Sequence, residues 1–104
     1  MRMLLRVTIP AETGNAAAKA GTLSSTIEKI LAELKPEAAY FYAGDGQRTG
    51  AFVFDMKDSS QIPAIVEPWF LAFNAKISLS PVMNAQDLAT GGSAIAKAAQ
   101  QFGK

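Results

Sequence analysis

Residues 38–55 read A-A-Y-F-Y-A-G-D-G-Q-R-T-G-A-F-V-F-D and contain the clearest structural signal in the chain. Two segments rich in aromatic residues, Ala38 to Ala43 and Thr49 to Asp55, flank the five residues 44–48. The Asp-Gly pair between them is a strong hairpin signal, because glycine accepts the positive φ that tight antiparallel turns require. The stretch therefore predicts two short antiparallel strands joined by a turn.

The segment before this hairpin predicts a strand followed by a long helix. From Met3 to Ile9 the side chains alternate, which is typical of a strand with one buried face. The positions expected on the buried face are Met3, Leu5, Val7 and Ile9. A single helix is expected to begin near Asn15 as its cap and to end at Lys35-Pro36. Steps of three and four place its apolar residues on one stripe: Ala16, Ala20, Leu23, Ile27, Ile30 and Leu34.

The segment after the hairpin predicts a second helix and a last strand. Asp58 and Gln61 have the spacing of a capping box, which marks the start of the helix. Pro68 lies inside the helical pattern and is expected to bend it, because proline removes one backbone hydrogen bond. Asn74 suits a left-handed C-cap. The strand Lys76 to Ser80 follows.

The predicted order is β-α-β-β-α-β with an additional helix at about residues 84–102. This order indicates an α+β, ferredoxin-like fold, with a four-stranded antiparallel sheet and two helices on one face. A length of 104 residues fits a single domain, residues 1–104. The added helix begins at Asn84, and Gly91-Gly92 is a candidate break within it.

Two segments carry a resemblance to known proteins. Residues 61–70 read Q-I-P-A-I-V-E-P-W-F and residues 80–83 read S-P-V-M. Together with the predicted order of elements, they resemble the dimeric α/β-barrel superfamily, and within it a group of small uncharacterised bacterial proteins. The resemblance implies a homodimer in which two sheets pair through their open faces. It assigns no catalytic residue.

Composition excludes several kinds of site. The chain has no cysteine and no histidine, which removes disulfides, thiolate nucleophiles, imidazole bases and ordinary zinc sites. Asp55 and Asp58 supply too few oxygen ligands for a Mg²⁺ or Ca²⁺ site, so no metal and no cofactor is expected. A net charge of +1 gives no electrostatic reason to expect nucleic acid or a membrane as a partner. Arg6 interrupts the N-terminal apolar segment, so no secretory signal is predicted and a cytoplasmic location is expected.

The open face of the sheet is the candidate site. A polar, hydrogen-bonding cavity or a polar dimer interface would both suit its side chains, which are expected to be Arg6, Thr8, Tyr40, Tyr42, Asp55 and Ser78. The third strand leaves two alternatives, because either Asp55 shares this face with Ala51 and Val53 or Phe52 and Phe54 occupy it. A buried arginine needs a polar partner. We therefore expect Arg6 to lie within hydrogen-bonding reach of Asp55 or of one of the two tyrosines.

Three hypotheses for function follow. The first is a small homodimeric protein, with no activity indicated by its residues, that binds an apolar or aromatic small molecule between its sheets. The second is a cofactor-independent monooxygenase or isomerase of ring compounds, as the resemblance implies for some members of the superfamily. The third is a protein–protein interaction module. The glycines of residues 44–50 lack the ending of a phosphate loop and open a strand, so a turn is the favoured interpretation.

Overall fold

The architecture is that of a computed structural model, which describes all residues from 1 to 104. Its elements are β1 (Arg2–Ile9), α1 (Ala11–Ala20), α2 (Leu23–Leu34), β2 (Ala38–Gly44), β3 (Gln47–Asp55), a 3₁₀ turn (Ser59–Gln61), α3 (Ile62–Phe73), β4 (Lys76–Pro81), α4 (Ala85–Thr90) and α5 (Gly92–Phe102). The strands form one antiparallel sheet in the order β2-β3-β1-β4. The α+β class and the four-stranded antiparallel sheet are therefore confirmed. With five helices, however, the order is not a plain βαββαβ.

The hairpin between β2 and β3 is tighter than its sequence indicated. Gly44 pairs with Gln47, which leaves only Asp45 and Gly46 in the turn. Their φ values of 51° and 76° are both positive, as a two-residue turn of type I′ requires. Because β3 starts at Gln47, Arg48 lies in the strand opposite Ile9, on the side of the sheet that faces the helices.

The single helix expected between Asn15 and Lys35 is wrong, because two helices occupy this segment. Gly21 adopts a left-handed conformation with φ 76°, and its N–H caps the end of α1. The chain then turns at Thr22 into α2. Asn15 is not a cap, since α1 already begins at Ala11. The end of α2 agrees with the prediction, because Lys35 adopts the left-handed C-cap conformation.

Capping boxes precede α3 and α4 at the positions that the sequence predicted. The Asp58 carboxylate accepts a hydrogen bond from the Ser60 N–H at 2.9 Å, and Gln61 completes the capping box. α3 runs on through Pro68 and ends at Asn74, which has φ 54°. A second capping box, between Asn84 and Asp87, starts α4.

The core lies between one face of the sheet and the helices. Met3, Leu5, Val7 and Ile9 are all buried, which confirms the predicted buried face of β1. Because Leu5 pairs with Phe52 across the sheet, β3 turns Phe52 and Phe54 into the same core. Trp69 of α3 stacks on Phe52 with ring centres 5.5 Å apart and an interplanar angle of 15°. This aromatic pair fixes α3 on the sheet.

The C-terminal helices extend away from this core. The expected helix at residues 84–102 is divided at Gly91 into α4 and α5, and neither contains a buried residue. Leu88, Ile95 and Phe102 are 51%, 61% and 81% exposed. The molecule is consequently elongated, with principal extents of 58, 29 and 20 Å. No helix is both long and apolar enough to cross a membrane.

Candidate functional site

The open face of the sheet brings most of the predicted site residues together in two rows. Strand pairing places Ser78, Arg6, Ala51 and Tyr40 side by side across all four strands. The next row, towards the hairpin, consists of Lys76, Thr8, Thr49 and Tyr42. The alternation of β3 therefore puts Ala51, Val53 and Asp55 on this face, which resolves the two alternatives left by its sequence.

No helix covers this face. Tyr40 is 67% exposed and Tyr42 is 48% exposed, and the Arg6 side chain is also exposed. Near the hairpin the face contains a mainly polar depression of about 390 Å³. Its lining residues include Arg6, Thr8, Tyr42, Asp45, Thr49 and Lys76. The depression thus offers two cations, one carboxylate and three hydroxyl groups to a bound molecule.

The expected pair between Arg6 and Asp55 is absent. Asp55 lies in the row of Arg2, four residues along the strand from the row of Arg6, which is about 13 Å. Its carboxylate accepts a hydrogen bond from the N-terminal ammonium of Met1 at 2.7 Å. That hydrogen bond and charge lower the pKa of Asp55. Of the six predicted site residues, Asp55 is therefore the one that lies away from the two rows that contain Arg6 and Thr8.

Arg6 forms no hydrogen bond with either tyrosine, and no carboxylate pairs with it. The only ion pairs in the chain are those of Met1 with Asp55 and of Arg2 with Glu37, at 2.7 Å each. The bond from Arg2 to Glu37 raises the pKa of that guanidinium. Arg6 is consequently a cation at the centre of the open face, with its donors directed to no acceptor of its own chain.

A second cavity lies on the opposite side of the sheet. It is a groove of about 710 Å³ between the first halves of α1 and α2 and the hairpin end of β2 and β3, and we call it the helix-side groove. The residues that matter most to its chemistry are Asn15, Leu23, Ile27, Phe41, Arg48 and Trp69. Arg48 donates a hydrogen bond to the Asn15 side-chain oxygen at 2.9 Å.

Sequence reasoning missed this groove for an identifiable reason. The groove is lined by Ala11 and Asn15 from the first half of α1 and by Leu23 and Ile27 from the first half of α2, and the continuous apolar stripe concealed that these belong to two helices. Gly21 followed by Thr22 was the available signal, since glycine is the usual residue at a left-handed helix end. Asn15 and Arg48 are 33 positions apart, and nothing local connects them.

No three acidic side chains lie close enough together to form a candidate metal site. The Asp58 carboxylate instead accepts hydrogen bonds from Ser60, which lower its pKa. This side chain is therefore engaged in capping the turn before α3.

Comparison with known proteins concerns the fold alone. No protein-family profile matches the chain, and no curated protein matches it by sequence. Among solved structures, the chain is similar to a formyltetrahydrofolate deformylase from Pseudomonas putida KT2440, with a TM-score of 0.51 and 13% sequence identity. The match covers 79% of this chain but 29% of the deformylase, so the chain spans less than a third of that enzyme. The similarity supports a ferredoxin-like α+β fold.

Proposed function

We propose that the protein is a homodimer that binds an apolar or aromatic small molecule between the open faces of its two sheets. The observation that carries this proposal is the surface of the single chain. Its accessible area is 7190 Å², whereas a folded monomer of 11.0 kDa is expected to expose roughly 5,600 Å². The excess of about 1,600 Å² is in the range that one subunit buries in an obligate dimer.

The shape of the chain supports the same proposal. Its radius of gyration is 17.4 Å, against about 13 Å for a compact domain of this length. Several large apolar side chains are exposed, among them Tyr40 and Tyr42 on the open sheet face and Ile95 and Phe102 on α5. Exposed apolar residues that lie together on one face are typical of an interaction site.

The chemistry of the open face supports a ligand within the interface. Pairing two such faces would remove Arg6 from water, and a guanidinium in that environment needs an acceptor. No side chain of its own chain pairs with it, so a polar or anionic group on the ligand would fill that role. Tyr40 and Ala51 in the same row would contact the apolar or aromatic part. Pairing as a dimeric α/β barrel, a bacterial origin and a cytoplasmic location belong to the same proposal.

The enzyme alternative has less support from the geometry. It would rest on Arg6, Tyr40, Tyr42 and Asp55 acting at one point. Asp55 lies in a different row and is paired with the N-terminus. The remaining three suit binding of a polar group by hydrogen bonds and charge.

The proposal is tested by measuring the mass of the purified protein in solution by light scattering at micromolar concentration. We expect twice the 11.0 kDa of the chain. Tyr40→Asp should dissociate the dimer, because it places a carboxylate in the interface. Leu71→Asp is the matched control, since Leu71 is an exposed apolar residue of α3, 83% exposed, on another surface. A wild-type mass of 11 kDa would refute the dimer.

The ligand is tested separately by native mass spectrometry of freshly purified protein. We expect a dimer that retains a small molecule, and Arg6→Gln should lose it while remaining dimeric. A dimer without bound molecules that also binds none of a panel of hydroxylated aromatics would leave the interaction-module hypothesis as the better one.

A further inference from the structure

We propose that the helix-side groove is a second binding site, and that it takes a small aromatic or aliphatic carboxylate. It lies on the other side of the sheet from the open face and does not require a dimer. Its volume of about 710 Å³ is that of an ordinary small-molecule site. Four features of its residues support this assignment.

The first feature is its charge. Arg48 is the only charged residue that lines the groove. The one hydrogen bond of its guanidinium within the chain goes to the neutral amide of Asn15 on the exposed rim of the groove, and neither ion pair of the chain includes it. A guanidinium has five donors in a planar fork that matches the geometry of a carboxylate. The groove therefore presents an uncompensated cation, held in place by Asn15, to an anionic ligand.

The second feature is the space that the fold leaves for that cation. Gly14 of α1 is buried and faces Arg48. A Cβ atom at this position would lie 2.8 Å from Nη1 of Arg48 and 3.1 Å from a methyl carbon of Ile9. Glycine in the middle of a helix weakens it by roughly 0.5–1 kcal/mol relative to alanine. Gly14 therefore makes α1 less stable at the position where the Arg48 guanidinium packs against it.

The third feature is an unpartnered donor. The Trp69 side chain is 1% exposed and lines the groove, and its indole Nε1 is buried without a hydrogen-bond partner. Such buried donors are rare in native proteins because burying them without a partner is unfavourable. This nitrogen has less than 1 Å² of accessible surface in the empty groove, so an acceptor oxygen on a bound molecule would satisfy it once the neighbouring side chains move on binding.

The fourth feature is an apolar wall. Phe41 is 58% exposed although it faces the helix side of β2, and its ring meets Phe52 edge-on with centres 5.5 Å apart. Leu23 and Ile27 of α2 line the groove too and are only partly buried. An aromatic or branched aliphatic body would cover these side chains. The combination of one cation, one buried donor and an apolar wall describes a hydrophobic carboxylate.

The test is a titration with trans-cinnamate, followed by ¹H–¹⁵N correlation spectroscopy and by calorimetry. Trp69 is the only tryptophan, so its indole N–H gives a single resonance that reports on the groove. We expect saturable binding, a downfield shift of that resonance, and an affinity for the neutral analogue cinnamamide that is at least about tenfold weaker. Absence of saturable binding at millimolar cinnamate would overturn the proposal, as would equal affinity for the amide.

Variants then locate the ligand. Arg48→Gln should weaken cinnamate binding by about tenfold or more, whereas the matched removal of an exposed charge, Lys57→Gln, should not change it. Gly14→Ala keeps the charge of Arg48 but displaces its guanidinium, so it should weaken binding without lowering the melting temperature. Loss of binding in Arg6→Gln together with an unshifted indole resonance would place the ligand on the open sheet face and refute the site.

Discussion

Gly50 makes room for the central aromatic ring of the core, and this can be tested by adding one carbon atom. A Cβ at Gly50 would lie 2.5 Å from Cζ of Phe52, so the ring would have to move about 0.9 Å to reach the 3.4 Å of an ordinary contact. Trp69 stacks on this ring and Phe41 meets it edge-on, with both ring centres 5.5 Å away. The ring is completely buried, so any movement has to displace these neighbours or enter the helix-side groove, which Phe52 also lines.

The expected magnitude follows from two opposing effects. Overpacking of a tight core costs about 1–3 kcal/mol. Replacing glycine by alanine in a strand returns roughly 0.5–1 kcal/mol of backbone entropy. The difference spans roughly 0 to 2.5 kcal/mol. Because both neighbouring rings would have to move, Gly50→Ala should lower the free energy of unfolding by about 1 kcal/mol or more, and each kcal/mol corresponds to a decrease of roughly 4–8 °C in melting temperature.

The assay is urea unfolding followed by Trp69 fluorescence and by circular dichroism, at one fixed protein concentration because association would change the apparent stability. Phe52→Leu removes the obstructing ring, so Gly50→Ala should cost much less in that background than in the wild type. The coupling energy of this double-mutant cycle should be about 1 kcal/mol. An alanine variant as stable as the wild type, or an additive cycle, would show that the ring is free to move.

Three further predictions concern the helices. Gly21→Ala should destabilise the protein by about 1 kcal/mol in urea unfolding, because φ is 76° there, whereas Gly92→Ala, with no atom within 4 Å of its Cβ, should be neutral or stabilising. Pro68→Ala should raise the free energy of unfolding by up to about 3 kcal/mol, since it restores a hydrogen bond inside α3; no increase would mean that packing needs proline there. The pKa of Asp58 is lowered by its hydrogen bonds with Ser60, so its capping contributes stability above the ordinary carboxyl value of 3.8 and loses it as the pH falls below that value. Asp58→Asn, which caps without titrating, should weaken this acid dependence in unfolding measured from pH 5 to pH 2.

Elements defined by local chemistry could be predicted from the sequence. The turn at Asp45-Gly46 and the capping box of Asp58 with Gln61 need only neighbouring residues, and both are present. The buried face of β1 follows from strict alternation. In each case the residues that determine the structure lie within a few positions of one another.

Features set by distant residues could not be predicted. Phe52 and Ala51 are both apolar, so the orientation of β3 was decided only by the pairing of Phe52 with Leu5, 47 positions away. The contact of Arg48 with Asn15 joins β3 to α1 across 33 positions, and no local pattern indicates it. The alternation of polar residues along the strands indicated which side chains lie on the open face. It did not indicate their hydrogen-bonding partners, because these depend on what covers the face.

The two proposed sites share one wall, and this determines which substitutions can separate them. Tyr42 and Thr49 line both the depression on the open face and the helix-side groove, because β2 and β3 form a single layer at the hairpin end. A substitution at either position would alter both cavities, so it could not show which of the two sites binds a ligand. Arg6 and Arg48 are the discriminating pair, since alternation along the strands puts Arg6 on the open face and Arg48 on the helix side. Each is a cation without a carboxylate partner, so Arg6→Gln and Arg48→Gln remove the same charge from opposite sides of the sheet. A ligand that responds to one and not to the other is thereby assigned to its face.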